Sequence, residues 1–189
     1  MLIEIIFSML IYSMFSITEW IVHKYIMHGD KDKTFFARDH IVHHIHTLPD
    51  MKLIMSDEYG EAIDKYLGLY FIWRSSIVVF LIGSLECFIM RHITGLNVST
   101  FFMLTIVLLF CIYQSSFWNT IHPDIHDLPL KLSWKEGIPG WDGWKHIMGA
   151  SCYEWLKANH RSHHSRKGIR QGNYNVTLPG ADFIFGSYF

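Results

Sequence analysis

The apolar positions of this 189-residue chain gather into three long runs. The first extends from Leu2 to about Val22 and contains Glu4 and Glu19. The second extends from Tyr66 to Met90 and contains Arg74 and Glu86. The third, from about Thr100 to Trp118, contains no charge. A helix of about 20 residues crosses the roughly 30 Å hydrocarbon core of a bilayer. Each run therefore predicts a transmembrane helix, the first two with costly charges inside. The first run has no basic start and no small-residue cleavage site after it, which argues against a secretory signal. Elsewhere the pattern turns polar. The segment Gly29 to Lys65 reads as partly helical, and Tyr153 to Ser162 as a helix. The segment from Ile121 opens on Pro123, Pro129, Gly137, Pro139, Gly140 and Gly143, and the tail after Gly168 reads as loop. There is no solenoid repeat. The expectation is an all-α integral membrane protein with one domain, 1–189. Three spans (2–22, 66–90 and 100–118) carry a helical cap made of 23–65 and 121–189.

Charge orients these spans. Lys24, Lys31, Lys33 and Arg38 follow the first, whereas the loop from Arg91 to Ser99 holds only Arg91. The positive-inside rule then places the cap in the cytoplasm and the short loop outside. Asn97-Val98-Ser99, in that loop, is a glycosylation triplet on the reachable side. Asn175-Val176-Thr177 would be cytoplasmic and unused. Composition agrees with a membrane protein: half the residues are hydrophobic and 17% are charged, against about 25% in soluble domains. The net charge of −1 gives no basic surplus for nucleic acid. Cys87, Cys111 and Cys152 are too few and too scattered for a disulfide framework or a zinc–cysteine site.

Histidine is the outlier, at 13 residues. Ten of them fall into four groups: His23 and His28 (HxxxxH), His40, His43 and His44 (HxxHH), His122 and His126 (HxxxH), and His160, His163 and His164 (HxxHH). All four lie on the same predicted side of the membrane. Residues three and four apart share a helix face, so an HxxHH helix presents three imidazoles together. HxxxxH fits worse, because its members stand about 140° apart on an α-helix; His23 and His28 are expected to straddle a helix end. Neutral imidazole is the commonest metal ligand, and crowding ten of them without a metal costs desolvation. Ten nitrogens suit two ions, and nitrogen donors fit iron, copper, nickel or zinc. His46, His92 and His146 stand outside the pattern, as surface or supporting residues. Ligating histidines usually donate their second nitrogen to an acceptor. Glu19, four residues before His23, is the first candidate. Asp124 and Asp127 are further ones, with Asp39 and Glu154 behind them. Arg74 and Glu86 receive no chemistry.

These residues resemble the fatty acid hydroxylase superfamily, which also holds sterol desaturases, sterol methyl oxidases and carotenoid hydroxylases. HKYIMH (His23–His28) looks like the first box of bacterial-type carotenoid hydroxylases. His40-Ile-Val-His43-His44 and His160-Arg-Ser-His163-His164 match the second and last boxes. His122-Pro-Asp-Ile-His126 looks like the third box of the sterol and fatty acid branches. Gly172-Asn173-Tyr174 … Asp182-Phe-Ile-Phe-Gly186 resembles their ending, with Ser187 in place of Thr. The chain departs in showing three spans where four are common, in the Trp- and Gly-rich insert Ile138–Met148, and in holding no fused cytochrome b5 domain. The insert is a candidate lipid entrance.

The resemblance implies a di-iron monooxygenase or desaturase of a lipid, with the ten boxed histidines as ligands. Its cofactors would be two iron ions, which zinc can replace in purified samples. Its partners would be the lipid, O2 and an external electron donor such as cytochrome b5, or ferredoxin with its reductase. It would sit in the endoplasmic reticulum of a eukaryote or the inner membrane of a bacterium. A fatty acyl or sphingolipid chain is the favoured substrate, a sterol or carotenoid the alternative. Tyr70, Phe71, Trp73, Phe110, Tyr113, Phe117 and Trp118 are placed to line its path or simply to pack in the membrane. Outside this class, a metal transporter would need ligands along a path through the bilayer, and a non-catalytic relative would be expected to have lost some of the ten.

Overall fold

The computed structural model describes residues 2–30, 34–54, 70–128, 132–165 and 172–189. Residues 66–69 of the expected second span, with Lys31, Lys33, Pro129 and Gly168, lie outside them. Among the described residues seven α-helices follow in order: α1 Leu2–Ile21, α2 Phe35–His46, α3 Trp73–Thr94, α4 Thr100–Ile125, α5 Gly143–Met148, α6 Ala150–Ser165 and α7 Ala181–Ile184. α1 runs on into a π-helical turn, Val22–Met27. The described residues contain no strand, only isolated bridges joining Thr47 to Leu53 and Ile72 to Gly137.

Three helices are long and apolar enough to cross a membrane: Leu2–Met27, Trp73–Thr94 and Thr100–Ile125. They pack around Phe7, Ile11, Phe15, Cys87, Met103 and Val107. Gly83 allows the close approach, since a Cβ there would meet Val107 Cγ1 at 3.3 Å and the Phe15 ring at 3.4 Å. The outward faces stay apolar, with Met9, Leu81, Leu85, Phe101 and Leu109 exposed, as suits surfaces that meet lipid. Glu86, buried on α3, accepts a hydrogen bond from the Thr18 hydroxyl of α1, so an expensive charge becomes an interhelical tie.

The span boundaries differ from the expected ones for local reasons. α3 starts at Trp73 because Ile72 is extended and bridged to Gly137. It ends beyond Met90 at Thr94, where Gly95 takes the left-handed conformation (φ 64°) that closes helices. α4 is capped by the Ser99 hydroxyl, which accepts from Phe102 N at 3.2 Å. It runs on past Trp118 to Ile125 because Asn119, Thr120 and His122 are buried there. Asn119 donates to the carbonyls of Phe71 (3.0 Å) and Ile138 (2.7 Å), which satisfies its amide inside the protein. A second core of Phe117, Ile121, Ile125, Tyr153 and Leu156 joins α4 to α6. α2 and α6 thus gather at the C-terminal ends of α1 and α4, while residues 177–179 run back along α1 and α4, where Tyr12, Ser16 and Tyr113 donate to their carbonyls.

Candidate metal centre

α1, with its π-turn, and α4 each deliver a pair of boxed histidines at their C-terminal ends. At the end of α4, His122 lies in the last turn and His126 is the C-cap, its amide bonded to Pro123 C=O at 3.0 Å in a tight i→i+3 closure, and the two rings meet edge to face with centroids 5.1 Å apart. α1 solves the harder spacing by changing its winding. In the turn Val22–Met27, the His28 amide bonds the His23 carbonyl at 3.1 Å, an i→i+5 bond. Closing on the fifth residue brings positions five apart onto one face. The two rings stack, with centroids 5.3 Å apart. HxxxxH is thus a π-turn spacing, and its members straddle the helix end as expected, His23 inside the turn and His28 as its C-cap.

The ten boxed histidines form two groups of five, and in each group the facing nitrogens lie within 4.8 Å of one another. The first group is His23, His28, His40, His44 and His163; the second is His43, His122, His126, His160 and His164. α2 gives its i, i+4 pair (His40, His44) to the first group and His43 to the second. α6 does the reverse, giving His160 and His164 to the second and His163 to the first. The groups adjoin, with His44 stacked on His164 at 4.1 Å between centroids.

The spacing within the groups matches ligation. In the first, four Nε2 atoms close a ring: His28 to His40 is 3.0 Å, His40 to His44 3.0 Å, His44 to His163 3.1 Å and His163 to His28 3.0 Å. A square of that side has its centre about 2.1 Å from each corner, the length of a metal–imidazole bond. His23 Nε2 lies 3.0 Å from His40 Nε2. In the second group, His43 and His160 lie 3.2 and 3.1 Å from His164, Nε2 to Nε2.

Tautomers follow from the outer nitrogens, because a carbonyl oxygen can only accept. His23 Nδ1–H donates to Tyr174 C=O (2.5 Å), His163 Nδ1–H to Gly172 C=O (2.7 Å) and His126 Nδ1–H to Met51 C=O (2.6 Å). In each neutral ring the inward Nε2 then carries a lone pair. The Nε2 of His126 is buried without a hydrogen-bond partner among the described residues. Burial also keeps the rings outside the spans neutral. It pushes His28 and His126 down to about 4 and His163 to about 3. His40, His43, His44, His160 and His164 are driven well down by burial, reinforced by the neighbouring imidazoles. Converging lone pairs repel one another, and a cation between them converts that repulsion into bonding. The donor set therefore fits two metal ions.

The supporting residues are placed differently from expectation. Glu19 does not reach His23. Its carboxylate accepts from Thr177 N (3.0 Å), Leu178 N (3.0 Å) and Asn175 Nδ2 (3.1 Å), because a folded C-terminal segment offers it more donors than one imidazole can. Asp124 pairs with Lys157 (2.8 Å) and Lys145 (3.4 Å) and accepts from Tyr153 OH (3.2 Å), which locks α4 to α5 and α6. Asp127 is exposed at φ 56°, and its influence on His126 is that of a nearby charge. Asp39 pairs with Arg38, and Glu154 is exposed beside Lys157. His46 donates to Val42 C=O, while His92 and His146 are exposed, all outside the two groups. Sequence reasoning missed the true acceptors, the carbonyls of Met51, Gly172 and Tyr174, since a backbone carbonyl has no side-chain signature. The two tail residues stand in or beside the Gly172-Asn173-Tyr174 motif, which was the available signal.

A cavity of about 710 Å³ lies between α1, α3 and α4 and reaches His23 and His40 of the first group. Its walls include Phe15, Val22, Val78, Val79, Ile82 and Phe110, with Asp39, Arg74 and Glu136 also lining it. Tyr70, Phe71, Phe110 and Trp118 line it as expected; Trp73, Tyr113, Phe117 and the insert 138–148 do not. Trp144 of that insert instead packs on Tyr113 and Phe117 and donates to Ser116 Oγ at 3.0 Å. Comparison of the chain with protein-family models, with curated proteins and with solved structures returned no match.

Proposed function

We propose that the chain is a membrane di-iron oxygenase that hydroxylates an unactivated C–H bond of a lipid, a fatty acyl or sphingolipid chain in the first instance. The observation that carries this reading is the pair of adjoining five-histidine groups, one of them touched by an apolar cavity among the long helices. His23, His28, His40, His44 and His163 would hold one iron, and His43, His122, His126, His160 and His164 the other. Five nitrogens leave a six-coordinate ion room for one further ligand. Once bound, the iron pair would supply oxygen activation, in which O2, two electrons from an external donor and two protons yield water and one oxygen atom for the C–H bond.

The chain's own residues do the rest. The carbonyls of Tyr174, Gly172 and Met51 fix ring orientation and keep lone pairs pointing inward. The apolar walls of the cavity would hold a hydrocarbon chain beside His23 and His40 and keep water away from it. Its volume lies in the range of pockets for small organic ligands. The cap faces the cytoplasm in this reading, where soluble electron donors would reach it.

Elemental analysis of detergent-purified protein tests the site, and product analysis tests the chemistry. Two ions per chain are expected. With O2 and a reducing donor, a lipid should gain one oxygen atom. Loss of two hydrogens instead would make the enzyme a desaturase, and a sterol or carotenoid product would move the substrate. No bound metal after iron supplementation would overturn the reading.

A further inference from the structure

We infer that Glu19 and Asp182 are positioning residues for the first histidine group alone, acting through the C-terminal segment 172–189 as a clamp; this rests on the reading that the groups bind metal. The two carbonyls that orient His23 and His163 both belong to this segment. Residues 172–178 lie in no helix or strand, so their buried amides need partners from elsewhere. Two carboxylates provide them, Asp182 buried and Glu19 half-buried. Asp182 accepts from Tyr174 N (3.0 Å) and Asn175 N (2.7 Å), and Glu19 from Thr177 N and Leu178 N (both 3.0 Å). A carboxylate that accepts several amide N–H groups fixes the backbone between them. The peptide that carries Tyr174 C=O is therefore held by Asp182 and the chain just beyond it by Glu19, which stands four residues before His23, the ring that Tyr174 C=O orients.

The clamp has a second tie to α1. Asp182 accepts from Ser187 Oγ (2.7 Å), which accepts from Trp20 Nε1 (2.7 Å). Asn173 and Phe189 exchange hydrogen bonds at 3.1 and 2.9 Å, which ties residue 189 back to the start of the segment. Asn159 Nδ2 donates to Asn175 C=O at 2.9 Å and joins the segment to α6, the helix of His163. The second group hangs on other supports, Met51 C=O and the Asp124–Lys157 pair. The two ions therefore become separable: loosening the clamp frees one and leaves the other.

Asp182→Asn and Glu19→Gln keep shape but turn an acceptor oxygen into a donor that faces backbone N–H. The probe is Co(II) added to detergent-purified, metal-free full-length chain, read by elemental analysis and by the visible cobalt bands. Wild type should take two ions. Each variant should keep one tight ion and bind the other about 10–100-fold more weakly, with bands matching those of His23→Ala, which lacks a first-group ligand. Glu154→Gln, an exposed carboxylate in the same cap, should take two tight ions. If Asp182→Asn fails to fold, Ser187→Ala removes one bond to Asp182 and should weaken the same ion by a smaller factor. Loss of both ions together, or two ions of wild-type affinity in the folded variants, overturns the clamp. A wild-type chain that takes no ion overturns the metal reading instead.

Discussion

The two histidine groups have the same inventory and different foundations. Each takes two histidines from a membrane helix, an i, i+4 pair from one cap helix and a single histidine from the other. The first is founded on a π-turn and on carbonyls of an irregular C-terminal segment. The second is founded on the tight C-terminal closure of α4 at Pro123 and His126, the Met51 carbonyl and a charged tie between α4 and α6. Their outer nitrogens show the contrast. Those of His23 and His163 are hydrogen-bonded, whereas Nδ1 of His43, His160 and His164 has no hydrogen-bond partner among the described residues. Ring packing holds the second group, with His160 4.7 Å from His164 and 4.9 Å from His122 between centroids. Equal donor sets do not require equal scaffolds, and the difference decides what disturbs each.

The largest effects come from deleting a ligand. His40→Ala should lower the metal count through the first group and His126→Ala through the second. On the proposed oxygenase reading, each should also reduce product yield by at least about 100-fold, the upper range for disturbing even outer-shell partners of a metal. Elemental analysis and product yield check both. Retention of two ions and of turnover in both variants would break the pairing of histidines into groups.

Acid comes next, and it strains both groups. An unfolded histidine titrates near 6.5, while His28 and His126 in the fold lie at about 4 and His163 at about 3 because burial disfavours the charged ring. Between those values the unfolded chain binds more protons. Stability is therefore full above pH 6.5 and falls as the pH drops through 6.5 toward the folded values, by up to about 1.4 kcal/mol per group per pH unit. Thermal unfolding of chelator-treated protein should show a Tm that is flat from pH 8 to 7 and falls steeply toward pH 5. A Tm that does not change over that range would contradict the buried neutral rings.

Much of this was legible in the chain, and the rest was hidden for specific reasons. Three helices long enough to span a membrane and the ten histidines that come together follow from hydropathy and spacing, because helical period brings i, i+3 and i+4 together. The division into groups does not, since it depends on which neighbour each face of α2 and α6 meets. The HxxxxH misfit was visible as a misfit, but only the winding of residues 22–27 resolves it. Glu19 illustrates the limit most sharply. Spacing places it near His23, yet its oxygens go to donors 158 and 159 residues away, and no local pattern reports such a contact.

A smaller effect separates the foundations. Asp124→Asn weakens the tie to Lys157, whose side chain is 12% exposed, and to Lys145. The expected cost is about 1–3 kcal/mol, below that of a fully buried pair because the Asp124 side chain is 31% exposed. Loosening α4 against α6 moves His122 and His126 relative to His160 and His164. The second ion should therefore weaken while the first keeps its affinity, the mirror image of the clamp variants. Cobalt titration alongside a Tm measurement distinguishes this from a general loss of fold, and weakening of the first ion instead would reverse the assignment of supports.

The smallest effect belongs to the histidines outside both groups. If metal binding followed from histidine content alone, replacing any of the 13 would lower the ion count. Geometry says otherwise. His46 belongs to α2 like His40, His43 and His44, but its Nδ1 donates back to Val42 C=O at 2.8 Å, and it joins neither group. His92 and His146 are exposed. His46→Gln loses one partly buried bond near a helix end and should cost about 0.5–1 kcal/mol; His92→Gln and His146→Gln should stay within about 0.5 kcal/mol of wild type. All three should bind two ions with unchanged affinity. A lost ion in His46→Gln would add a sixth ligand to one group and break the symmetry of five and five.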